Sequence, residues 1–236
     1  TYTISAQTSG TVEVTLSSTS FTYNSNVQKP SVTSVKYNGT ALDGSNYTVG
    51  TIPESKNAGG YSVTVTLSAN YGNQTGTANY TINKKDVTVT ADNKTQVYSE
   101  AEVELTKTVS GLVGSDSLTG SLKINKTANF PNVGTYDIVE DTAFSNSNYN
   151  ITFNKGTYTI SAQTSGTVEV TLSSTSFTYN SNVQKPSVTS VKYNGTALDG
   201  SNYTVGTIPE SKNAGGYSVT VTLSANYGNQ TGTANY

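Results

Sequence analysis

The sequence contains no Cys, His, Met or Trp, and Lys supplies all 13 of its cationic side chains, so Arg is missing too. Each absence removes a class of function. Without Cys and His there is no zinc finger, no haem or iron–sulfur ligation, no thiolate nucleophile and no Ser–His–Asp triad. Without Arg, and at a net charge of −2, a nucleic-acid partner finds no basic footprint to dock on. Charged residues make up only 12% of the chain, about half the usual share. The longest apolar runs are a few residues, so no segment reads as a membrane span or a signal peptide. This composition points away from an enzyme and implies no cofactor. It singles out no catalytic, cofactor-binding or metal-ligating residue.

What fills the chain instead is neutral and polar: 41 Thr, 31 Ser and 25 Asn among 236 residues. Disorder is not the reading, because 17 Tyr and 5 Phe accompany β-branched residues that alternate with polar ones. In 61–67, Tyr61, Val63, Val65 and Leu67 share one face and Ser62, Thr64 and Thr66 the other, the pattern of a strand buried on one side. Similar patterns predict strands at 12–16, 31–37, 46–49, 61–67 and 77–82, then at 87–91, 103–109, 121–124, 135–139, 148–153 and 157–161. Asn38-Gly39, Asp43-Gly44, Gly59-Gly60 and Tyr71-Gly72-Asn73 mark turns between them. Only Gly111–Leu118 has a spacing that could hold a helical turn. The fold class is all-β, most simply a sandwich.

The chain repeats itself. Residues Thr1–Tyr80 and Thr157–Tyr236 are identical at every position, and the segment between them echoes both. Asn57-Ala58-Gly59-Gly60-Tyr61 answers to Asn132-Val133-Gly134-Thr135-Tyr136, and Asn70-Tyr71 answers to Asn148-Tyr149. Two related β-domain types therefore alternate. Thr1–Ala6 corresponds to Thr157–Ala162, so 1–6 reads as the terminal strand of a preceding domain of the middle type. Tyr236 corresponds to Tyr80, so the last strand of the second copy reads as truncated, and the chain reads as a window on a longer array.

Residues 85–160 resemble the MBG-type repeat of large bacterial surface adhesins. The resemblance rests on Val87-Thr88-Val89-Thr90-Ala91, Val97-Tyr98, Ser110-Gly111-Leu112-Val113, Asp116-Ser117-Leu118-Thr119-Gly120, Asn132-Val133-Gly134-Thr135-Tyr136 and Ser147-Asn148-Tyr149-Asn150-Ile151-Thr152. Ser99 stands where that family usually has Gly. Residues 14–82 resemble immunoglobulin-like repeats of Gram-positive surface proteins, through Phe21-Thr22-Tyr23-Asn24, Lys29-Pro30-Ser31-Val32, Lys36-Tyr37-Asn38-Gly39, Asn46-Tyr47-Thr48-Val49 and Asn57-Ala58-Gly59. The resemblances imply tandem small β-sandwich domains in an extended array. On this reading 1–6 closes an MBG-type domain, 7–83 is an immunoglobulin-like repeat, 84–162 an MBG-type repeat, and 163–236 a second immunoglobulin-like repeat. They further imply an extracellular, cell-surface stalk or fibre that projects a binding domain, with neighbouring repeats as its partners. The alternative is that the repeats themselves bind host glycan, mucin or matrix protein weakly and multivalently.

Candidate sites each meet a plainer explanation. Glu100, Glu102 and Glu104 would line one face of a strand, yet a Ca²⁺ site needs six or more converging oxygens, so a solvated edge is expected. Asp137, Glu140 and Asp141 receive the same reading. Tyr71 and Tyr149 could offer sugar-stacking faces, but Tyr is expected to act here as the main core-filling residue with its hydroxyl at the rim. The Asn-x-Thr sequons at Asn38, Asn46, Asn73, Asn79, Asn93, Asn125 and Asn150 follow from composition. Lys36 alternates with Val35 and Tyr37, which argues for exposure and against an isopeptide cross-link. The four residues Asn83-Lys84-Lys85-Asp86 predict a stiff joint between the first two domains. Ser161–Thr167, small, polar and containing Gly166, predicts a softer tether at the second.

Overall fold

The computed structural model describes all residues, Thr1–Tyr236, and consists of strands, turns and four single-turn 3-10 helices. The chain is all-β, a tandem of small β-sandwich domains. Seven strands build the first copy: β1 (Val12–Leu16), β2 (Ser20–Thr22), β3 (Val32–Tyr37), β4 (Thr40–Ala41), β5 (Tyr47–Val49), β6 (Gly59–Leu67) and β7 (Thr75–Asn83). They form one sheet in the order β1-β3-β4 and another in the order β2-β7-β6-β5.

The period-two pattern dictates which side chains enter. Val63, Val65 and Leu67 of β6 are buried, while Ser62, Thr64 and Thr66 are exposed. With Val35 and Tyr37 of β3 they make a core, where each fully buried aliphatic side chain contributes about 1.5–3 kcal/mol. The β3–β4 hairpin turns on Asn38 and Gly39, at φ +47° and +79°, the positive values that a two-residue hairpin of the right twist requires. Asn38 adds a tie of its own, since its Oδ1 accepts the Thr11 N–H at 2.9 Å. The two sheets meet closely at Gly76, where a Cβ would stand 2.5 Å from Val12 Cγ1.

The middle segment contributes β8 (Lys85–Ala91), β9 (Lys94–Val97), β10 (Lys107–Ser110), β11 (Thr119–Ile124), β12 (Gly134–Ser145), β13 (Tyr149–Asn154) and β14 (Gly156–Ser161). Their sheets run β10-β8-β13 and β11-β12-β14-β9, with β13 parallel to β8 and β9 parallel to β14. The second copy repeats the first as β15 (Val168–Leu172), β16 (Val188–Tyr193), β17 (Thr196–Ala197), β18 (Tyr203–Val205), β19 (Ser218–Leu223) and β20 (Thr231–Asn235). Two compact units divide the whole: one comprises Thr1–Thr90, Lys107–Ser121 and Glu140–Asn154, the other Ala91–Thr106, Leu122–Val139 and Lys155–Tyr236.

Several expectations from the sequence need correction. Strand β9 escapes the alternation test because the residue it buries is polar: Gln96 is inside, where its Oε1 accepts the Tyr158 hydroxyl proton. The stretch 103–106 is not strand, and Tyr158 explains part of this, since its hydroxyl takes the Val103 N–H at 2.8 Å. Gly111–Leu118 holds turns rather than a helical turn. Thr1–Ala6 is irregular and exposed, whereas the identical Thr157–Ser161 lies in β14.

Candidate functional site

The acidic groups do not converge. Glu100, Glu102 and Glu104 lie in a stretch without strand structure, so the shared face required of them is not formed, and Glu102 pairs with Lys126 at 2.7 Å. Asp137 pairs with Lys155 at 2.8 Å, and Glu140 Oε1 accepts the Phe144 N–H at 2.9 Å. No three carboxylates are gathered closely enough to hold a metal ion. The sequon side chains of Asn93 and Asn150 have structural tasks, binding Thr157 N–H at 2.8 Å and Asp86 at 3.1 Å. Lys36 is half-buried on the outer face of β3. Tyr149 is buried, and Tyr71 stands half-buried edge-on to Tyr37 at 5.0 Å, so the core role holds for both.

The structure does gather polar side chains at two places, each inside one compact unit, and each built from the same two motifs. The first motif is an Asn-x-Gly turn stiffened by the Tyr that follows. Tyr61 donates its hydroxyl to Asn57 O at 2.7 Å, Tyr136 to Asn132 O at 2.7 Å, and Tyr217 to Asn213 O at 2.9 Å. The second motif is an Asn-Tyr pair at a strand or 3-10 edge. In the first unit Asn148 is buried and its Oδ1 accepts the Ala58 N–H at 2.9 Å while its Nδ2 reaches Asn57 Oδ1 at 3.3 Å. In the second unit Asn226 is buried and repeats the grip: Oδ1 accepts Val133 N–H at 2.9 Å, and Nδ2 donates to Asn132 Oδ1 at 2.8 Å. A primary amide is the one short side chain that supplies a donor and an acceptor together. Asp would lose the donor, and Ala would lose both.

Beside each amide clamp lies a tyrosine cluster. In the first unit Asp116 Oδ2 accepts two phenols, Tyr23 at 2.7 Å and Tyr149 at 2.6 Å, and the two rings meet edge to face at 5.4 Å. Burial, and then the Asp116 carboxylate, pushes the Tyr23 phenol up to about 12. Tyr149 is raised by the same causes in the same order. The hydrogen bonds from Tyr149 and Tyr23 in turn hold the Asp116 carboxyl below its ordinary value. In the second unit the partners are aromatic only: Tyr98 meets Tyr227 edge-on at 5.6 Å and Tyr193 lies 4.9 Å away. Burial raises the Tyr227 phenol, helped by Tyr98, Tyr193 and Asp199.

The expected tether at Ser161–Thr167 is therefore corrected. Gln163 donates its N–H to Asn226 O at 3.0 Å, and its carbonyl accepts Gln230 Nε2 at 3.0 Å and the Tyr193 hydroxyl at 3.4 Å. Small polar residues here are docked, because the backbone groups they expose find partners. At the other joint only Lys84 separates β7 from β8, and Lys85 donates its N–H to Asn148 O at 3.0 Å. Sequence comparison exposes both motifs as internal echoes; that one motif grips the other is a three-dimensional fact with no signal in the spacing.

No curated protein matches the sequence. Among solved structures, the extracellular cadherin domains 1–4 of protocadherin gamma B7 align at 10% identity over 95% of this chain and 75% of that one, with a TM-score of 0.27. The protocadherin gamma B4 extracellular domain aligns at 10% identity over 94% of this chain and 48% of that one, with a TM-score of 0.24. Ser99, where the middle segment departs from the usual Gly, adopts φ +71°, so the turn after Tyr98 keeps its left-handed form with a less suited residue. Residues 87–159 match the MBG domain (YGX type).

Proposed function

We propose that the chain is the repeat region of an extracellular surface protein, in which MBG-type and immunoglobulin-like domains alternate as a stalk that carries a binding function elsewhere. On this reading residues 7–83, 84–162 and 163–236 are the successive domains, the setting is a bacterial cell surface, and no domain is an enzyme. The observation that carries the reading is that both joints are interfaces of one design, an amide clamp with tyrosine packing. A chain whose purpose is spacing requires defined joints; a string of independent binders requires only tethers.

The test is small-angle scattering on chains with increasing numbers of repeats. A stalk gives a maximum dimension that rises in proportion to domain number, and a collapsed particle of slowly growing radius would end the reading. A glycan array with the same chains separates it from multivalent binding, which alone requires signal from the repeats.

A further inference from the structure

The two identical copies do not present the same face to solvent. In the first copy Tyr23 is buried at 5% exposure; its counterpart Tyr179 is 63% exposed, and Phe177 is 42% exposed. What covers the first copy is on the page. Strand β2 lies parallel to the end of β7, with Ser20 opposite Thr81, Phe21 opposite Ile82 and Thr22 opposite Asn83. Tyr23 N–H then donates to Asn83 O at 2.9 Å, Asp116 takes the Tyr23 phenol, and Asn148 grips the Asn57-Ala58 backbone. Around Phe177 and Tyr179 none of these partners is present. A cavity of about 130 Å³ opens there, lined by Phe177, Tyr179, Asn213, Ala214, Tyr217 and Tyr236 among others. Its turn is already formed, since Tyr217 donates its hydroxyl to Asn213 O at 2.9 Å, as Tyr61 does to Asn57.

We infer that the face made by Phe177, Tyr179 and the Asn213-Ala214-Gly215 turn is a docking surface for an MBG-type domain led by a Thr-Ile-Asn strand. The complement is specific in chemistry. An amide must meet the Asn213 side chain and the Ala214 N–H together, a carboxylate must take the Tyr179 phenol, and an extended backbone must pair with Ser176–Thr178. The incoming strand also replaces a local bond, because Gln184 Nε2 now donates to Thr178 O at 2.8 Å. A second immunoglobulin-like copy does not meet these demands: at the position of Asp116 and Tyr149 it offers no carboxylate–phenol pair. The inference holds whatever the array carries, so a failed stalk reading leaves it standing.

The experiment extends the full chain after Tyr236 with its own residues 81–162 and follows amide hydrogen exchange. Docking slows exchange at Phe177, Thr178 and Tyr179 at least tenfold, toward the rates of Phe21, Thr22 and Tyr23 in the same molecule. Unchanged exchange at those amides, with the appended strands protected as β8 and β13 are, overturns the inference. A second variant covers the case in which the extension fails to fold. In the original chain, Asp116→Asn combined with Asn148→Ala should raise exchange at Phe21–Tyr23 toward that of Phe177–Tyr179; exchange as slow as before overturns the assignment. Concentration-dependent self-association of the unextended chain that Tyr179→Ala abolishes would give the face to a second copy, and so overturn it too.

Discussion

Two stretches of 80 identical residues fold here in different company, and they do not fold alike. Ser20–Thr22 is a strand in the first copy, while 176–178 is not. Asn70 and Tyr71 are exposed and half-buried, whereas Asn226 and Tyr227 are buried. Thr157–Ser161 forms a strand beside β9 and β12, but Thr1–Ser5 forms none. By contrast β1, β3, β4 and β5 reappear unchanged as β15, β16, β17 and β18. The invariant elements are those whose partners lie close in the same copy, held by hairpins and by sheet-to-sheet packing. The variable ones pair with chain from a neighbouring domain. Propensity therefore permits a strand, and a partner decides it.

The comparison should break most sharply in the core beneath Tyr80. This ring is 1% exposed, stacks on Tyr61 at 5.3 Å and donates to Pro53 O at 3.0 Å. Tyr80→Ala should cost about 3–5 kcal/mol in chemical denaturation. The half-buried Tyr236 makes the same bond to Pro209 but lacks the cover, so Tyr236→Ala should cost about half as much; equal costs would show that the cover is idle. Next comes the amide clamp. Asn226→Ala strands the Val133 N–H and should cost about 1–3 kcal/mol, measured as the shift in denaturation midpoint. Asn70→Ala, the same change in the copy where that amide is exposed, should move the midpoint little.

A pH titration sharpens the contrast between the two clusters. Asp116 is held below its unfolded value, so its contribution is complete above the ordinary carboxylate range and is lost as pH falls through the lower folded value. Tyr23 is raised from 10.0 to about 12. Its unfolded form gives up the proton first, so stability is complete below about 10 and drains away up to about 12. Denaturation profiles should show both losses, with the acid loss removed by Asp116→Asn. The smallest effect tests the elements that agree. Ser25 and Ser181 both sit at φ +65°, so Ser25→Gly and Ser181→Gly should each gain about 0.5–1 kcal/mol. Unequal gains would mean that even this local turn feels its neighbours.

Much of this was legible in the residues. Alternation in Tyr61–Leu67 gave the buried face, Asn38-Gly39 gave the hairpin, and Tyr did prove to be the core-filling residue. What escaped shares one cause: it depends on contacts between domains or on polar residues doing an apolar residue's work. Gln96 hides β9 because a buried amide breaks the pattern. Strand β2 is three residues long and its parallel partner lies some 60 positions on. Asp116, read only as part of a motif, proves to hold two phenols.

The amide clamp also has a symmetry. Asn148 and Asn226 give the grip, while the Asn57 and Asn132 turns receive it, so the contact joins two unlike surfaces. A contact of this heterologous kind has no twofold axis, and two copies of either surface cannot satisfy each other. Such chains acquire direction: every joint points the same way along the sequence, and isolated molecules gain nothing by pairing face to identical face. Length is then written in the number of repeats encoded and is not set by the closing of a ring or dimer.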